Sequence, residues 1–486
     1  MIRLYNATPV ALAKAPLLEI EEFRSAVITA TLRGARLASF FGIRQECDGV
    51  KLFAVLAWDQ AGDLSVVSVH VADAYPSLTP DCPQAHWFER EIFEQTGVTP
   101  TGHPWLKPVR SPLEREAGDF FGVQGDEAHE VAVGPIHAGV IEPGHFRFQC
   151  HGEDVLHLDI SLGYQHRGIE RALVSGPDKR TLHLMETLAG DTTVGHTLAY
   201  CQAIEALSGC EATPRADILR AVALELERMA NHVGDLGAMA QDVGYQPTAS
   251  FCGRLRGSYL NLTSLMCGSR FGRSLIRPGG VGFDIDSDAI ERLRDQMTVA
   301  WHDLTGAVSL LWDSPSVLAR FEETGVISPD LCQKLGFVGT VARASGLERD
   351  VRFDYPSGIY RYSHVPVSTW PTGDVFARAH IRWLELQRSH SFILTLLDQL
   401  REGGKTRADI KPLAPESLVV SLVEGWRGEI CHCAITDERG QLAAYKVIDP
   451  SFHNWIALGL AMRYESISDF PICNKSMNLS YCGHDL

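Results

Sequence analysis

Met185-Glu186-Thr187-Leu188-Ala189-Gly190-Asp191-Thr192-Thr193-Val194-Gly195-His196-Thr197-Leu198-Ala199-Tyr200 lies within a long helical pattern covering residues 179–241. Gly209 interrupts the pattern and Thr213-Pro214 restarts it. A threonine hydroxyl can accept from a free first-turn N–H, and proline lacks only a donor that the first turn leaves idle. Beyond the restart, Glu225 is followed by Arg228, Asn231 and His232, the last three spaced i, i+3 and i+4 on one helical face. Upstream stands Gly163-Tyr164-Gln165-His166-Arg167-Gly168-Ile169-Glu170. Gly168 permits a tight backbone there, Arg167 can fork onto a carboxylate, and Glu170 could move protons if burial raised its pKa. The plainer reading of that segment is a capping and salt-bridge cluster.

The 486 residues exceed one ordinary core, and 45% hydrophobic with 21% charged residues describe a packed chain. A net charge of −16 with no long basic run argues against nucleic acid, whose phosphates need clustered Lys and Arg, and against anionic lipid. No window reaches the roughly 20 apolar residues of a membrane span. The early apolar patch is interrupted by Lys14 and followed by acidic residues, so no signal peptide is expected. The twelve cysteines include no Cys-x-x-Cys, and no iron–sulfur cluster is expected of this chain. Cys431 and Cys433 fall in a predicted strand, and their thiols are read as facing opposite sides, hence as no ligand pair.

Apolar spacing predicts a helix and then a strand over residues 17–42, strands at Lys51–Trp58 and Ser65–Ala72, and a helix from Trp87 that stops at Gly97. The polar, acidic run from Arg110 to Val131 reads as a linker. Alternation over His145–Cys150 and Val155–Ile160 predicts antiparallel sheet. Further helices are predicted at Gly257–Arg273, Ser287–Leu318, Asp374–Arg401 and Asn454–Met462, and strands at Ser417–Val423, Gly428–Ile435 and Gln441–Ile448.

These motifs and their spacing resemble a known family. Glu89-Arg90-Glu91 through Gly97, closing on Gly102-His103-Pro104-Trp105-Leu106, is similar to the signature of the C-type subunit of respiratory complex I. The Gly163–Glu170 segment, Glu225 to His232, Arg277-Pro278-Gly279-Gly280-Val281, Arg343-Ala344-Ser345-Gly346, and Gly373-Asp374 with Arg378, Arg382 and Glu385 resemble the complex I D-type subunit and its relative, the [NiFe]-hydrogenase large subunit. The whole resembles a fused C/D-type large subunit, formate hydrogenlyase large-subunit-like and hydrogenase-4 component G-like. The resemblance implies an α+β protein: an α/β C-type domain at 1–113, a linker at 114–132, and at 133–486 a mainly helical hydrogenase-like domain with small antiparallel sheets.

Within that frame the chain departs from its relatives. Hydrogenases of the family draw two nickel thiolates from a Cys-Gly-x-Cys where this chain has Ala189-Gly190-Asp191-Thr192. Two more come from a closing Asp-Pro-Cys-x-x-Cys, where it has Cys473 followed at the ligand spacing by Ser476. A methyl and hydroxyls cannot replace soft thiolates, so a nickel–iron centre is not expected, and Cys473 and Cys482 read as core thiols. The D-type subunit offers quinone a tyrosine where this chain has Gly190. The partner histidine would be His137 or His145, with His137, in Gly-Pro-x-His, the better match. His196 is either a replacement polar group or a satisfied core histidine.

The resemblance implies a catalytic-core or coupling subunit of a membrane-bound energy-converting oxidoreductase, peripheral on the cytoplasmic face of the inner membrane. It would take electrons from a [4Fe-4S] cluster in a small B-type iron–sulfur subunit to quinone or another small acceptor, beside other hydrophilic iron–sulfur subunits and antiporter-like membrane subunits. This chain itself is expected to hold no cofactor and no metal. Catalytic roles are expected of Glu170, His166, Asp191, Thr192, Arg378, Arg382 and Asp350, with the two arginines networked through Glu170, Asp350 and Asp374. His137, Gly190 and His196 would line the acceptor pocket. Two alternatives stay open: a non-redox subunit that transmits conformational change, and a [NiFe]-hydrogenase with an unusual metal site.

Overall fold

The computed structural model describes residues 1–45, 49–110, 120–125, 127–137, 141–400 and 403–486. The architecture is mixed helix and sheet, with small antiparallel sheets. Strands β1 (Ile2–Leu4), β2 (Arg36–Arg44), β3 (Val50–Trp58) and β4 (Asp63–Val71) form the first sheet in the order β1-β4-β3-β2. Helix α1 (Ile20–Leu32) buries Phe23 and Val27 against it. Helix α2 (His86–Thr96) packs on β2 and stops at Gly97, whose φ of 77° admits the left-handed turn.

The second sheet has the order β7-β6-β5, from β5 (Ala128–Val133), β6 (His145–His151) and β7 (Asp154–Ser161). β5 lies where a linker was expected: no residue of it is fully buried, so an edge strand hid inside a polar run. Residues 111–119 and 126 of that predicted linker lie outside the described residues.

Helices α3 (Ile169–Leu173), α4 (Thr181–Glu186), α5 (Thr193–Ser208) and α6 (Pro214–Asp242) follow. α6 is buried along nearly its whole length, and α7 (Gln246–Cys267) packs against it. α7 begins well before the predicted Gly257, because Pro247 sits in its first turn and the Ser/Thr/Gly-rich run after it is helical. α8 (Ser287–Trp312) stops short of the predicted Leu318: Pro315 opens a separate short helix, Pro315–Phe321. α9 (Val375–Gln399) returns along α6.

The third sheet, order β10-β9-β8, joins β8 (Ser417–Glu424), β9 (Glu429–Thr436) and β10 (Leu442–Ile448). Its β8 edge is closed by Val10–Ala11, and Asn6 exchanges hydrogen bonds with the Leu422 backbone at 3.0 and 2.8 Å. Helices α10 (Pro450–Ala461), α11 (Phe470–Met477) and α12 (Tyr481–Asp485) complete the fold. Cys431 and Cys433 do not face opposite sides as expected. Residues two apart on a strand share a face, and the sulfurs stand 3.9 Å apart. The side chain that points the other way is His432.

Candidate functional site around the Ala189–Thr192 loop

The turn between α4 and α5 carries Ala189, Gly190, Asp191 and Thr192, and is held from three directions. Arg167 donates to the carbonyls of Thr187 (2.7 Å) and Leu188 (2.9 Å), so its fork binds backbone where a carboxylate was expected. Asn231 on α6 donates to the Asp191 carbonyl at 2.9 Å, as does the Trp426 indole at 3.0 Å. Arg427 forks onto the Asp191 carboxylate at 2.6 and 2.8 Å. Trp426 also donates to the Thr192 hydroxyl at 3.1 Å, and the Arg427 guanidinium lies 3.9 Å over the Trp426 ring. Burial alone would raise the Asp191 carboxyl, but the Arg427 fork outweighs it and holds the group below the usual carboxylate range. Glu227 closes the start of α5 by accepting from the amides of Val194 (2.7 Å) and Gly195 (3.1 Å).

The cysteine that meets this loop is Cys482. Its thiol faces the Gly190 amide, its own amide donates to Glu142 at 3.2 Å, and its carbonyl accepts from Arg167 at 3.4 Å. Cys473 is buried beside Gly325 and Arg378, where a Cβ added to Gly325 would sit 2.6 Å from its sulfur. Burial, reinforced by the Glu142 carboxylate, pushes the Cys482 thiol up to about 12. Cys482 is therefore expected to alkylate far more slowly at pH 8 than a free cysteine near pKa 8.5. Mass-spectrometric timing with iodoacetamide checks this, and labelling at the free-thiol rate would contradict it. A Cβ built on Gly190 meets no atom within 4 Å, so space opens over the loop.

His137 and His145 are each held by a nearby backbone carbonyl. The ring of His137 lies 3.1 Å from the Gly144 carbonyl, and that of His145 lies 3.1 Å from the Gly134 carbonyl. Gly144 packs directly on the Tyr481 ring, which sets Gly144 and His145 close to Cys482.

Three buried polar systems surround the loop, and they divide the expected network. In the first, Arg382 binds Asp235 at 2.7 Å, and Asp235 accepts from Asn478 at 2.6 Å. The Asn478 carbonyl accepts in turn from Arg427. Arg382 also donates to the Arg378 carbonyl at 2.9 Å, and Arg378 binds Ser476 at 2.8 Å and the carbonyls of Gly325 and Gly373. Arg378 and Arg382 thus connect to the Asp191–Arg427 pair and not to Glu170 or Asp350. Asp374 is used as the N-cap of α9, through Ala377 at 2.7 Å.

Asp350 belongs to the second system. It pairs with Arg352 at 2.6 Å, Arg352 with Glu225 at 3.1 Å, and Arg228 with Glu225 at 3.2 Å and Glu385 at 3.3 Å. Arg343 joins Glu385 and Glu424, both at 2.7 Å, and His232 meets Glu385 at 2.8 Å. Three arginines face four carboxylates, and burial pushes the Glu424 carboxyl from its ordinary 4.5 up to about 7. Between those values the folded state binds more protons than the unfolded state, so this group makes stability fall as pH rises through the window. Glu424→Gln is expected to remove that slope, a difference on the order of 3 kcal/mol accumulated across the window. Urea midpoints of both proteins between pH 4.5 and 7 measure it, and parallel profiles would refute it.

Glu170 belongs to the third system, where α2 meets β10. It accepts from Lys446 at 2.9 Å, the Val447 amide at 3.1 Å and Gln95 at 3.1 Å, while Lys446 also binds Glu91 at 2.5 Å and Arg110 pairs with Glu91. Burial would raise Glu170, but Lys446 and Arg110 outweigh it and the carboxyl is lowered. The rise expected for a proton carrier is therefore not found. His166 holds the Asp485 carbonyl at 2.7 Å, and this cluster faces a groove of about 530 Å³. His196 is wholly buried and satisfied on both nitrogens, by Asp449 and His432, so it is a core histidine.

Sequence reasoning missed Trp426, Arg427, Lys446 and Asp449. The Gly425-Trp426-Arg427-Gly428 turn between two predicted strands was the available signal: a cation and an indole on a hairpin tip. Among the described residues, no group of three or more His, Cys, Asp or Glu side chains could hold a metal ion, and no helix is long and apolar enough to cross a membrane.

Residues 30–112 match the model of the respiratory-chain NADH dehydrogenase 30 Kd subunit, and residues 242–417 that of the 49 Kd subunit. Carbon monoxide-induced hydrogenase of Rhodospirillum rubrum is 30% identical over 351 residues, covering 72% of this chain and 97% of that protein. The chain belongs to this family. It is a fused 30 kDa/49 kDa complex I-type subunit, and other members bracket it. Formate hydrogenlyase subunit 5 of Escherichia coli (strain K12) is 28% identical over 84% of this chain and 76% of its own length. The NADH-quinone oxidoreductase D 2 subunit of Solibacter usitatus (strain Ellin6076) is 29% identical over 69% of this chain and 91% of its own. These relatives are subunits of complex I-like and membrane-bound hydrogenase complexes.

Proposed function

We propose that this chain is the large peripheral subunit of a membrane-associated oxidoreductase that passes electrons from an iron–sulfur partner to a quinone-type acceptor, without a nickel–iron centre. The observation behind this reading is the state of the donors at the loop. The Asp191 carboxylate is occupied by Arg427, the Thr192 hydroxyl by Trp426, and among the described residues Cys482 alone approaches, with a thiol held in its protonated form. A nickel–iron centre needs several soft thiolates, and this donor set does not fit one. Gly190 is exposed with open space over it, so a small flat acceptor held against the loop by a partner subunit would meet no steric barrier there. By analogy with its relatives, the chain would sit on the cytoplasmic face of the inner membrane. Its partners would be a small B-type iron–sulfur subunit bearing the adjacent [4Fe-4S] cluster, other hydrophilic iron–sulfur subunits and antiporter-like membrane subunits.

The test is metal analysis of the purified complex together with titration by decylubiquinone and a quinone-site inhibitor. Substoichiometric nickel with saturable, inhibitor-sensitive quinone reduction is expected. Stoichiometric nickel with H₂ turnover would overturn the reading. The buried arginine–carboxylate system across α6, α9 and β8 favours a second reading, a non-redox coupling subunit. Absence of any quinone binding by the complex would select it.

A further inference from the structure

A cavity of about 240 Å³ lies where α2 and residues 105–107 meet β7 and α10, and it shares no wall residue with the 530 Å³ groove. Three indoles line it, those of Trp87, Trp105 and Trp455. So do three cations, Arg90, Lys107 and Arg463, against a single carboxylate, Asp159, among its described lining residues. We propose that this cavity is a binding site for a flat aromatic carboxylate of one or two rings, which would bridge α2 and α10. No residue of the Ala189–Thr192 loop lines it, and the site does not rest on the proposed electron transfer.

The space is kept open by a missing side chain. Trp455, Gly459 and Arg463 follow one another at four-residue spacing along α10 and the turn after it, hence on one side. Gly459 is helical, so no left-handed turn requires a glycine there, and a Cβ built on it meets only the Leu158 carbonyl oxygen, at 3.3 Å. Glycine weakens a helix interior relative to alanine, so the opening is maintained against the preference of the helix. The volume equals that of about eight waters at about 30 Å³ each, room for one or two rings. Aromatic walls with a few charged groups, set between separately folded parts of a chain, are the usual make-up of a small-molecule site.

The wall chemistry selects the ligand. The Arg90 guanidinium lies 4.5 Å over the Trp87 ring, and the Lys107 ammonium lies 4.3 Å over the Trp105 ring. Arg90 also donates to the carbonyls of Lys107 (2.7 Å) and Pro108 (2.9 Å), which fixes that wall in place. Three positive groups to one negative favour an anion. Their field is felt at His157 in the same wall: burial lowers its imidazole most, Asp159 opposes this, and Arg463 and Lys107 lower it further. The Asp159 carboxylate disfavours a second negative charge, so a carboxylate fits where a phosphate dianion does not. Trp455 is wholly buried whereas Trp105 is partly exposed and Arg463 is exposed, which sets the ring inward and the charge outward. Indoles receive a further ring edge-on or offset, and the Arg463 fork matches a carboxylate at the rim.

The experiment is calorimetric titration of the purified full chain with 2-naphthoate, beside its uncharged isostere 2-naphthamide. One-to-one binding of the carboxylate is expected, with the amide weaker by about tenfold or more. Arg463→Gln should bring 2-naphthoate close to the affinity of the amide while leaving the urea midpoint unchanged, since that side chain is exposed. Gly459→Leu should fill the cavity and abolish binding. If Gly459→Leu does not fold, Trp105→Ala takes its place, with a loss of about tenfold expected. No saturable binding of 2-naphthoate by the wild-type chain up to millimolar concentration overturns the proposal. So does equal binding of the amide, or an affinity for 2-naphthoate that neither Arg463→Gln nor the cavity variant changes.

Discussion

Glu385→Leu is expected to destabilise the protein by about 3–5 kcal/mol, the usual cost of removing one partner from a buried ion pair. Glu385 is the hub of the second polar system, ion-paired with Arg343 and hydrogen-bonded by Arg228 and His232, all wholly buried. Without it, Arg343 keeps Glu424 at 2.7 Å, the Arg349 carbonyl at 2.8 Å and a more distant Asp350 at 3.8 Å, and burial raises the Glu424 carboxyl, which weakens it as a counter-ion. The guanidinium can neither reach water nor lose its charge. A urea titration measures the loss, with Glu385→Gln as the milder comparison. If Glu385→Leu unfolds within about 1 kcal/mol of wild type, the network is not held by that carboxylate. Adding Arg343→Met to Glu385→Leu should recover part of the loss, because the unpaired charge is then removed as well.

Arg427→Met should cost about 2–3 kcal/mol, within the range for losing hydrogen bonds to a charged group, and should lower acceptor turnover more than tenfold. Methionine preserves contact with Trp426 but abandons the Asp191 fork and the Asn478 carbonyl. The stability cost stays below that of Glu385→Leu because the Asp191 side chain is one-third exposed and can rehydrate. The loop loses its anchor to the hairpin, and the wiring from Asp191 through Asn478 and Asp235 to Arg382 is cut. Midpoint and kcat should therefore both fall. Unchanged turnover would show that the loop does not depend on this hairpin.

Period and capping made most elements legible. Thr213-Pro214 announced α6, and alternation announced β6 and β7. β5 was hidden because an edge strand with a wet face has the composition of a linker. At the site, the loop itself was legible from its altered residues, but its partners were not. Arg427 lies 236 positions from Asp191, and nothing local in a sequence reports that pairing. The same reason misplaced Arg378 and Arg382, whose helical spacing gave a shared face but not the tail residues that face meets. For Glu170, burial was foreseeable, whereas a lysine on β10 that reverses its effect was not.

The strand Val10–Ala11 lies on β8, across some four hundred intervening residues. While the chain is being synthesised, that short piece has nothing to bind until residues 417–424 leave the ribosome, so the third sheet must be sealed late. Logarithmic growth of loop-closure entropy makes so long a span affordable. The corollary concerns dissection: residues 133–486 produced alone would carry a bare row of β8 amides and carbonyls. Such a fragment should self-associate through that margin, so the two halves of this gene product are best studied joined.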